Sequence, residues 1–308
     1  METKRDSRWN LLVVLGPTAS GKTDLAVLLA RRVGGEIISA DSRQVYRGMD
    51  LGTGKDLAAY GSGLQCVPFH LIDICEPEEE FSLFSFCEGF HACFRAITDR
   101  RRIPILAGGT GLYLDAVLRG YRMVPVPEDP LLRDRLAAEG MEALKKRLLD
   151  LCPELHNSTD LKDRSRLIRA IEIARESGGR RQAEPHALIS PLVIGIRFPR
   201  EELRRRITAR LEARLAAGMV DEVRGLHERG VPWQRLEALG LEYRYIGLHL
   251  QGRLTFEEMF ATLNTKIHQF AKRQETWFRG MERKGVPIRW IDGPDVSTAL
   301  ALLAGPAS

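Results

Sequence analysis

Apolar residues in the first third of the chain alternate between short continuous runs and stretches spaced three and four apart. Leu11 to Leu15 is an unbroken apolar run closed by Gly16-Pro17, the pattern of a strand covered on both faces. Leu25, Ala26, Leu28 and Leu29 then recur on helical spacing between Thr23 and Arg32, and Gly34-Gly35 stop that helix. Glu36 to Ser39 reads as a second strand. Phe86, Phe90, Phe94 and Ile97 stripe another helix, which leads into the strand Ile103 to Ala107 and a further pair of glycines. Strand, helix and strand in this rhythm predict an α/β core with a parallel sheet and helices on both faces.

After Gly120 the pattern changes. Residues 124–130 (VPVPEDP) predict a rigid extended connector, and charged helical patterns follow from Leu131 to about Ser177, ended by Gly178-Gly179. Pro191 to Ile196 looks like a strand returning to the sheet. An Arg-rich helix is expected from Glu201, and a long one from Thr255 to about Arg279. The expected organisation is a core of residues 1–120 and 190–308 around a mainly helical insertion, 121–189.

The 308 residues contain 44% hydrophobic and 28% charged side chains, ordinary for a globular protein. Five cysteines without a CxxC pair argue against both a disulfide framework and a zinc cluster. The first residues lack the apolar core of a signal peptide, and no run of 18 apolar residues follows, so a soluble cytoplasmic protein with no membrane contact is expected. Charge is uneven: residues 1–100 are net −3 and residues 101–308 net +8. Taken alone, the excess arginine is a solvated helix surface. An independent motif is needed before nucleic acid becomes the better reading.

Residues 16–23, Gly16-Pro17-Thr18-Ala19-Ser20-Gly21-Lys22-Thr23, fit G-x-x-x-x-G-K-[ST] at every fixed position, between a predicted strand and a predicted helix. Glycines let backbone amides turn around phosphate oxygens, and the following helix presents its positive end. Lys22 adds a mobile charge, and the Thr23 hydroxyl is placed to ligate Mg²⁺. Such a loop usually binds a nucleoside triphosphate such as ATP. The carboxylate a kinase needs is weakly represented, with Asp73 in His70-Leu71-Ile72-Asp73 the nearest candidate. Another diphosphate ligand therefore remains open. Asp41 follows the second strand and Gly108-Gly109-Thr110 ends a later one, so both are expected at the sheet edge where ligands bind.

Seven segments together resemble the bacterial tRNA dimethylallyltransferases: GPTASGKT (16–23), SADSRQVYRGMDLGTGK (39–55), HLIDI (70–74), GGTGLYLDAVLRG (108–120), DPLLR (129–133), RSRLIRAIE (164–172) and AKRQETWFR (271–279). They occur in the family's order across nearly the whole chain. The resemblance implies a P-loop-kinase-like sheet, a helical insertion that grips the tRNA anticodon stem-loop, and Mg²⁺-dependent transfer of dimethylallyl from dimethylallyl diphosphate to N6 of adenosine 37. By the same resemblance Asp41 is the general base, residues 16–23 hold the diphosphate, and Thr23 serves the metal. It also implies that Asp41, Ser42, Arg43 and Gln44 surround the target adenine and that Thr110, Arg133, Ser165, Arg166 and Arg169 touch tRNA. Three departures stand out: Ser165 in place of the family's Gln, Phe69 in place of a first His, and Gly240-Leu241-Glu242-Tyr243-Arg244 in place of a Gly-Tyr-Lys/Arg tripeptide.

The resemblance gives the basic second half a purpose. Six arginines in residues 200–214 and six basic residues in 266–284 become expected phosphate contacts, while Trp277 and Phe278 are expected in the core. A monomer is expected. The rival readings are an adenylate isopentenyltransferase acting on free nucleotides and a small-molecule P-loop kinase. A non-catalytic RNA-binding module leaves the P-loop and Asp41 without a purpose.

Overall fold

A computed structural model describes residues 9–63, 66–121, 126–152, 161, 163–177 and 188–304. The chain divides into two compact units, residues 1–120 with 187–308, and residues 121–186.

The larger unit is built on a sheet of six described strands: β1 (Leu11–Leu15), β2 (Gly35–Ala40), β3 (Phe69–His70), β4 (Ile103–Gly108), β5 (Pro191–Arg197) and β6 (Ile288–Asp292). They lie in the order β3-β2-β4-β1-β5-β6, and every neighbouring pair is parallel. All residues of β1, β2 and β4 are buried, as strands covered by helices on both faces must be. Helices α1 (Lys22–Val33), α2 (Leu83–Asp99) and α3 (Gly111–Leu118) belong to the front of this unit. Gly34, at φ 67°, closes α1 in the left-handed conformation that ends a helix without strain. Ser82 caps α2 by accepting from the Ser85 amide at 3.1 Å.

The register fixes the site. Leu15 and Ala40 both pair with Gly108. The chain therefore leaves β1, β4 and β2 along one edge, with β1 and β2 about 10 Å apart. Gly108 has to be glycine: a Cβ there would lie 2.2 Å from the Ala40 carbonyl oxygen.

The second half adds α7 (Arg200–Ala216), α8 (Met219–Glu228), α9 (Trp233–Leu239), α10 (Leu241–Leu250), α11 (Phe256–Arg283) and α12 (Val296–Ala304). Most of these helices share a core with Val45, Met49 and Cys75, through buried residues such as Leu211, Met219, Leu236, Tyr243 and Leu263. Thr255 and Glu258 form a reciprocal capping box at the start of α11.

Among the described residues of the smaller unit, the expected helical block is three helices, α4 (Pro130–Ala137), α5 (Met141–Leu151) and α6 (Arg164–Ser177). Asp129 caps α4 by accepting the Leu132 amide, with Pro130 in its first turn. Leu132, Leu136, Leu144, Leu148, Leu167 and Ile171 form its core. Residues 124 and 125 of the predicted connector and Gly178-Gly179 lie outside the described residues. Among the described residues, no helix is long and apolar enough to cross a membrane.

Candidate active site

The turn after β1 winds through two left-handed residues, Ala19 at φ 63° and Gly21 at φ 78°. Such turns curl backbone into an anion-binding nest. Not every amide of the loop is available, however. The Thr18 N–H donates to Gln274 Oε1 at 2.8 Å and the Ser20 N–H to the Pro17 carbonyl at 3.3 Å. The donors that α1 itself leaves unpaired are its first-turn amides, starting at Lys22, with no side-chain cap over them. An anion placed there meets the positive end of the helix.

A cavity of about 360 Å³ opens over this helix end. Residues Thr18 to Asp24 form one wall, Asp41 and Gln44 another, and Thr53, Gly54, Asp56, Arg206 and Arg210 complete it. Lys22 is desolvated there, which pushes its ammonium down to about 8; Asp41 opposes that fall, while Arg210 and Arg214 add to it. Arg210 loses water too and falls to about 10, with Arg214 adding to the fall and Glu242 opposing it. A polyanion would relieve this crowding of positive charge.

Asp41, directly after β2, accepts the Arg43 amide at Oδ1 (3.0 Å), which fixes the turn and keeps the residue in the cavity lining. Thr110, after β4, ties the two strand exits together: its Oγ1 accepts the Ser42 amide at 3.0 Å, and its own amide donates to the Ala40 carbonyl at 3.1 Å. Gln44 is buried, its Oε1 accepting from Ser39 at 2.9 Å and its Nε2 donating to the Gly54 carbonyl at 3.1 Å. Among the residues matched to the adenine segment, Gln44 thus holds the loop, and Asp41 is the ionisable group on the cavity.

The structure redirects several expectations. Asp73 is absent from the cavity lining and forms an ion pair with the fully buried Lys55, which also bonds Asp50 and the Tyr46 carbonyl. The kinase reading loses its metal carboxylate. The α7 arginines do not share one role: Arg204 and Arg205 are exposed, whereas Arg206 donates to the Ala19 carbonyl at 2.9 Å and Arg210 to the Thr18 hydroxyl. Arg206, Arg210 and Arg214 are spaced i, i+4, i+8, and that stripe was the signal for an inward-facing row. Phe278 is fully buried as expected, but Trp277 is 42% exposed and lies over Gly111, where a Cβ would come within 2.5 Å of its ring. Gln274 was not singled out by sequence. It spans the site, taking the Thr18 N–H and giving its Nε2–H to the Gly109 carbonyl at 2.8 Å.

In the helical unit, Arg133 and Arg169 are already committed. Both bond the buried Glu172, Arg133 through Nε and Nη2 at 2.8 and 2.9 Å and Arg169 through Nη1 at 2.9 Å. Arg164 closes the end of α4 through the carbonyls of Leu136, Ala137 and Glu139. Ser165 and Arg166 are exposed.

A family model described as IPP transferase matches residues 44–281, and one described as Isopentenyl transferase matches residues 9–67. The chain belongs to the IPP transferase family. It is 60% identical over 291 residues to tRNA dimethylallyltransferase 2 of Trichlorobacter lovleyi, covering 94% of each chain. It is 56% identical over 298 residues to tRNA dimethylallyltransferase 1 of Syntrophus aciditrophicus, covering 96% of this chain and 98% of the other. Among solved structures, the tRNA isopentenylpyrophosphate transferase of Bacillus halodurans superposes with a TM-score of 0.68 at 34% identity, over 96% and 94% of the two chains. A eukaryotic dimethylallyltransferase acting on tRNA shares the fold, with a TM-score of 0.72 at 22% identity over 93% and 74%. The α/β fold expected for an IPP transferase is therefore the fold observed.

Proposed function

We propose that this IPP transferase family member moves a dimethylallyl group from dimethylallyl diphosphate to N6 of adenosine 37, beside the anticodon of tRNA, in the cytoplasm. The observation that carries the reading is one cavity with an anion cradle on one wall and a carboxylate, Asp41, on another. Its volume of about 360 Å³ suits a small ligand with an adenine brought up to it. The tRNA part rests on relatives more than 50% identical over nearly the full chain that bear that name.

In the reaction, the allylic C1–O bond breaks with its electron pair leaving on the diphosphate, and the N6–C1 bond forms. Lys22, Arg210 and the first amides of α1 hold the departing charge, where it grows in the transition state. Asp41 orients the N6 amine, whose lone pair is drawn into the ring, and accepts its proton at Oδ2 as the nitrogen becomes positive. The adenine has to leave the anticodon stack to reach Asp41.

Mg²⁺ fits the donors present besides the proposed base: the Thr23 hydroxyl and the Asp24 carboxylate line the same cavity as the cradle. No cluster of three or more His, Cys, Asp or Glu able to hold a metal occurs among the described residues. Few protein ligands is the usual arrangement for Mg²⁺, so Thr23 and Asp24 would be the residues that hold it. When bound, Mg²⁺ neutralises charge on the leaving group.

Labelled dimethylallyl diphosphate offered with tRNA, with AMP or with no acceptor tests the proposal. The expected result is product with tRNA only, and a single-turnover rate ~10²–10⁴-fold lower in Asp41→Asn with unchanged tRNA affinity. Equal kcat/KM for AMP would transfer the reading to a free-nucleotide enzyme.

A further inference from the structure

The segment 240–244 has no role in the reaction as described, yet the fold carries it to the back of the diphosphate cavity. Gly240 breaks the chain between α9 and α10, and Glu242 falls in the first turn of α10. Glu242 lines a gap of about 10 Å³ together with Arg210, Arg214, Ile207, Leu211, Met219 and Ile267. A gap of that size has room for no more than about one water.

Arg214 is the unusual member. One turn beyond Arg210 on α7, its side chain is 10% exposed, and its Nη2 is buried without a hydrogen-bond partner. The nearest carboxylate oxygen, Asp56 Oδ2, is 3.9 Å away, on the exposed side chain of a cavity-lining residue. Gly54, at φ 66°, gives the guanidinium its place, because a Cβ there would lie 1.7 Å from Nη2. A buried guanidinium this poorly bonded is costly to stability. Its charge instead reaches the cavity: it is among the groups that push Lys22 and Arg210 down. Glu242 works in the opposite sense on Arg210, while desolvation raises its own carboxyl above the ordinary range against the pull of Arg214 and Arg210.

We propose that Arg214 and Glu242 are opposed positioning residues that set the positive charge of the diphosphate site, Arg214 adding to it from behind Arg210 and Glu242 subtracting from it. The inference rests on the reading of the cavity as the diphosphate site. The consequence is a balance: enough positive charge to draw the leaving group away from C1, and not so much that diphosphate remains bound after transfer.

The test is calorimetric binding of inorganic diphosphate with Mg²⁺, accompanied by steady-state and burst kinetics with tRNA. Arg214→Gln should weaken diphosphate binding by about tenfold and Glu242→Gln should tighten it by about tenfold, the size expected for one charge removed from a largely desolvated site. The double variant should return to within about threefold of the parent, because the two effects oppose each other. Glu242→Gln should also lower KM and kcat together and show a burst of product, as release becomes limiting. Arg214→Lys, which keeps the charge and changes the shape, should bind like the parent.

A purely structural role would weaken binding in both single variants, and that result overturns the proposal, as does no change in either. If Glu242→Gln does not fold, the Arg214 pair decides: loss with Gln and retention with Lys supports the proposal, and equal loss overturns it. Lys22→Ala separates the two levels. Unchanged diphosphate binding in that variant removes the diphosphate reading itself, whereas weakened binding there with silent Arg214 and Glu242 variants removes only this inference.

Discussion

Replacing Arg133 should unfasten the helical unit and not merely remove a contact to RNA. Glu172, 2% exposed, receives both Arg133 hydrogen bonds, one from Arg169 and the Asp129 amide at 3.0 Å. Desolvation works against its charge, but Arg133, the Asp129 amide and Arg169 outweigh it and hold the carboxyl at about 2, against an ordinary 4.5. A displacement of that size corresponds to about 3 kcal/mol of folding free energy. The arginine side chains are 33% and 36% exposed, so water screens the pair and about 1–3 kcal/mol is the expected share. The folded value is depressed, so the contribution is complete above pH 4.5 and is lost as pH falls toward about 2. Arg133→Ala at pH 7 should therefore cost about 2 kcal/mol locally, read as roughly 30-fold faster amide exchange in α4 and α6 of the full-length protein. The gap between the parent and Glu172→Gln should close as pH is lowered through that window. Unchanged exchange in Arg133→Ala, together with a tRNA salt slope smaller by about one, would refute the clamp and return Arg133 to the phosphate backbone.

Two further outcomes follow from the same geometry. Arg166, exposed on α6 and not part of the clamp, should on mutation to Ala reduce the salt slope of tRNA binding by about 0.7–0.9 and leave exchange protection intact; an unchanged slope removes it from the phosphate contacts. Gln274→Leu deprives both the Thr18 amide and the Gly109 carbonyl of their partner, so KM for dimethylallyl diphosphate should rise by about tenfold with a modest loss of Tm; an unchanged KM would mean that the P-loop holds its shape without α11.

Local pattern made much of the molecule legible. The apolar run at 11–15, the helix stopped at Gly34 and the strand at 103–107 each announce themselves within a dozen residues, and the structure has them all, the last one residue longer. The turn at residues 16–23 could be read for the same reason: its glycines and Lys22 are neighbours in the chain, between a strand and a helix. The strand exits at Asp41 and Thr110 were also foreseeable, because a parallel sheet gathers the carboxyl ends of its strands on one edge. Less legible were β3, only two residues long, and β6, whose burial alternates irregularly at the sheet edge.

What a side chain does depends on what arrives opposite it, and the one-dimensional pattern does not carry that. The arginines of residues 200–214 look alike in sequence; the direction of α7 puts Arg204 and Arg205 in solvent, Arg206 and Arg210 in the cavity lining, and Arg214 in the small gap behind Arg210. Arg133 and Arg169 look like free positive charge until Glu172, 39 and 3 residues away, takes their hydrogen bonds. Asp73 looks like a metal carboxylate until Lys55 folds under it. Gln274 reaches the P-loop from 256 residues away, and no periodicity marks it. The elements and the glycine-rich turn carrying Lys22 were readable along the chain, because backbone propensity and motif spacing are local. Which charges face the cavity and which are spent on one another was set by packing, because pairing and desolvation are properties of the folded chain.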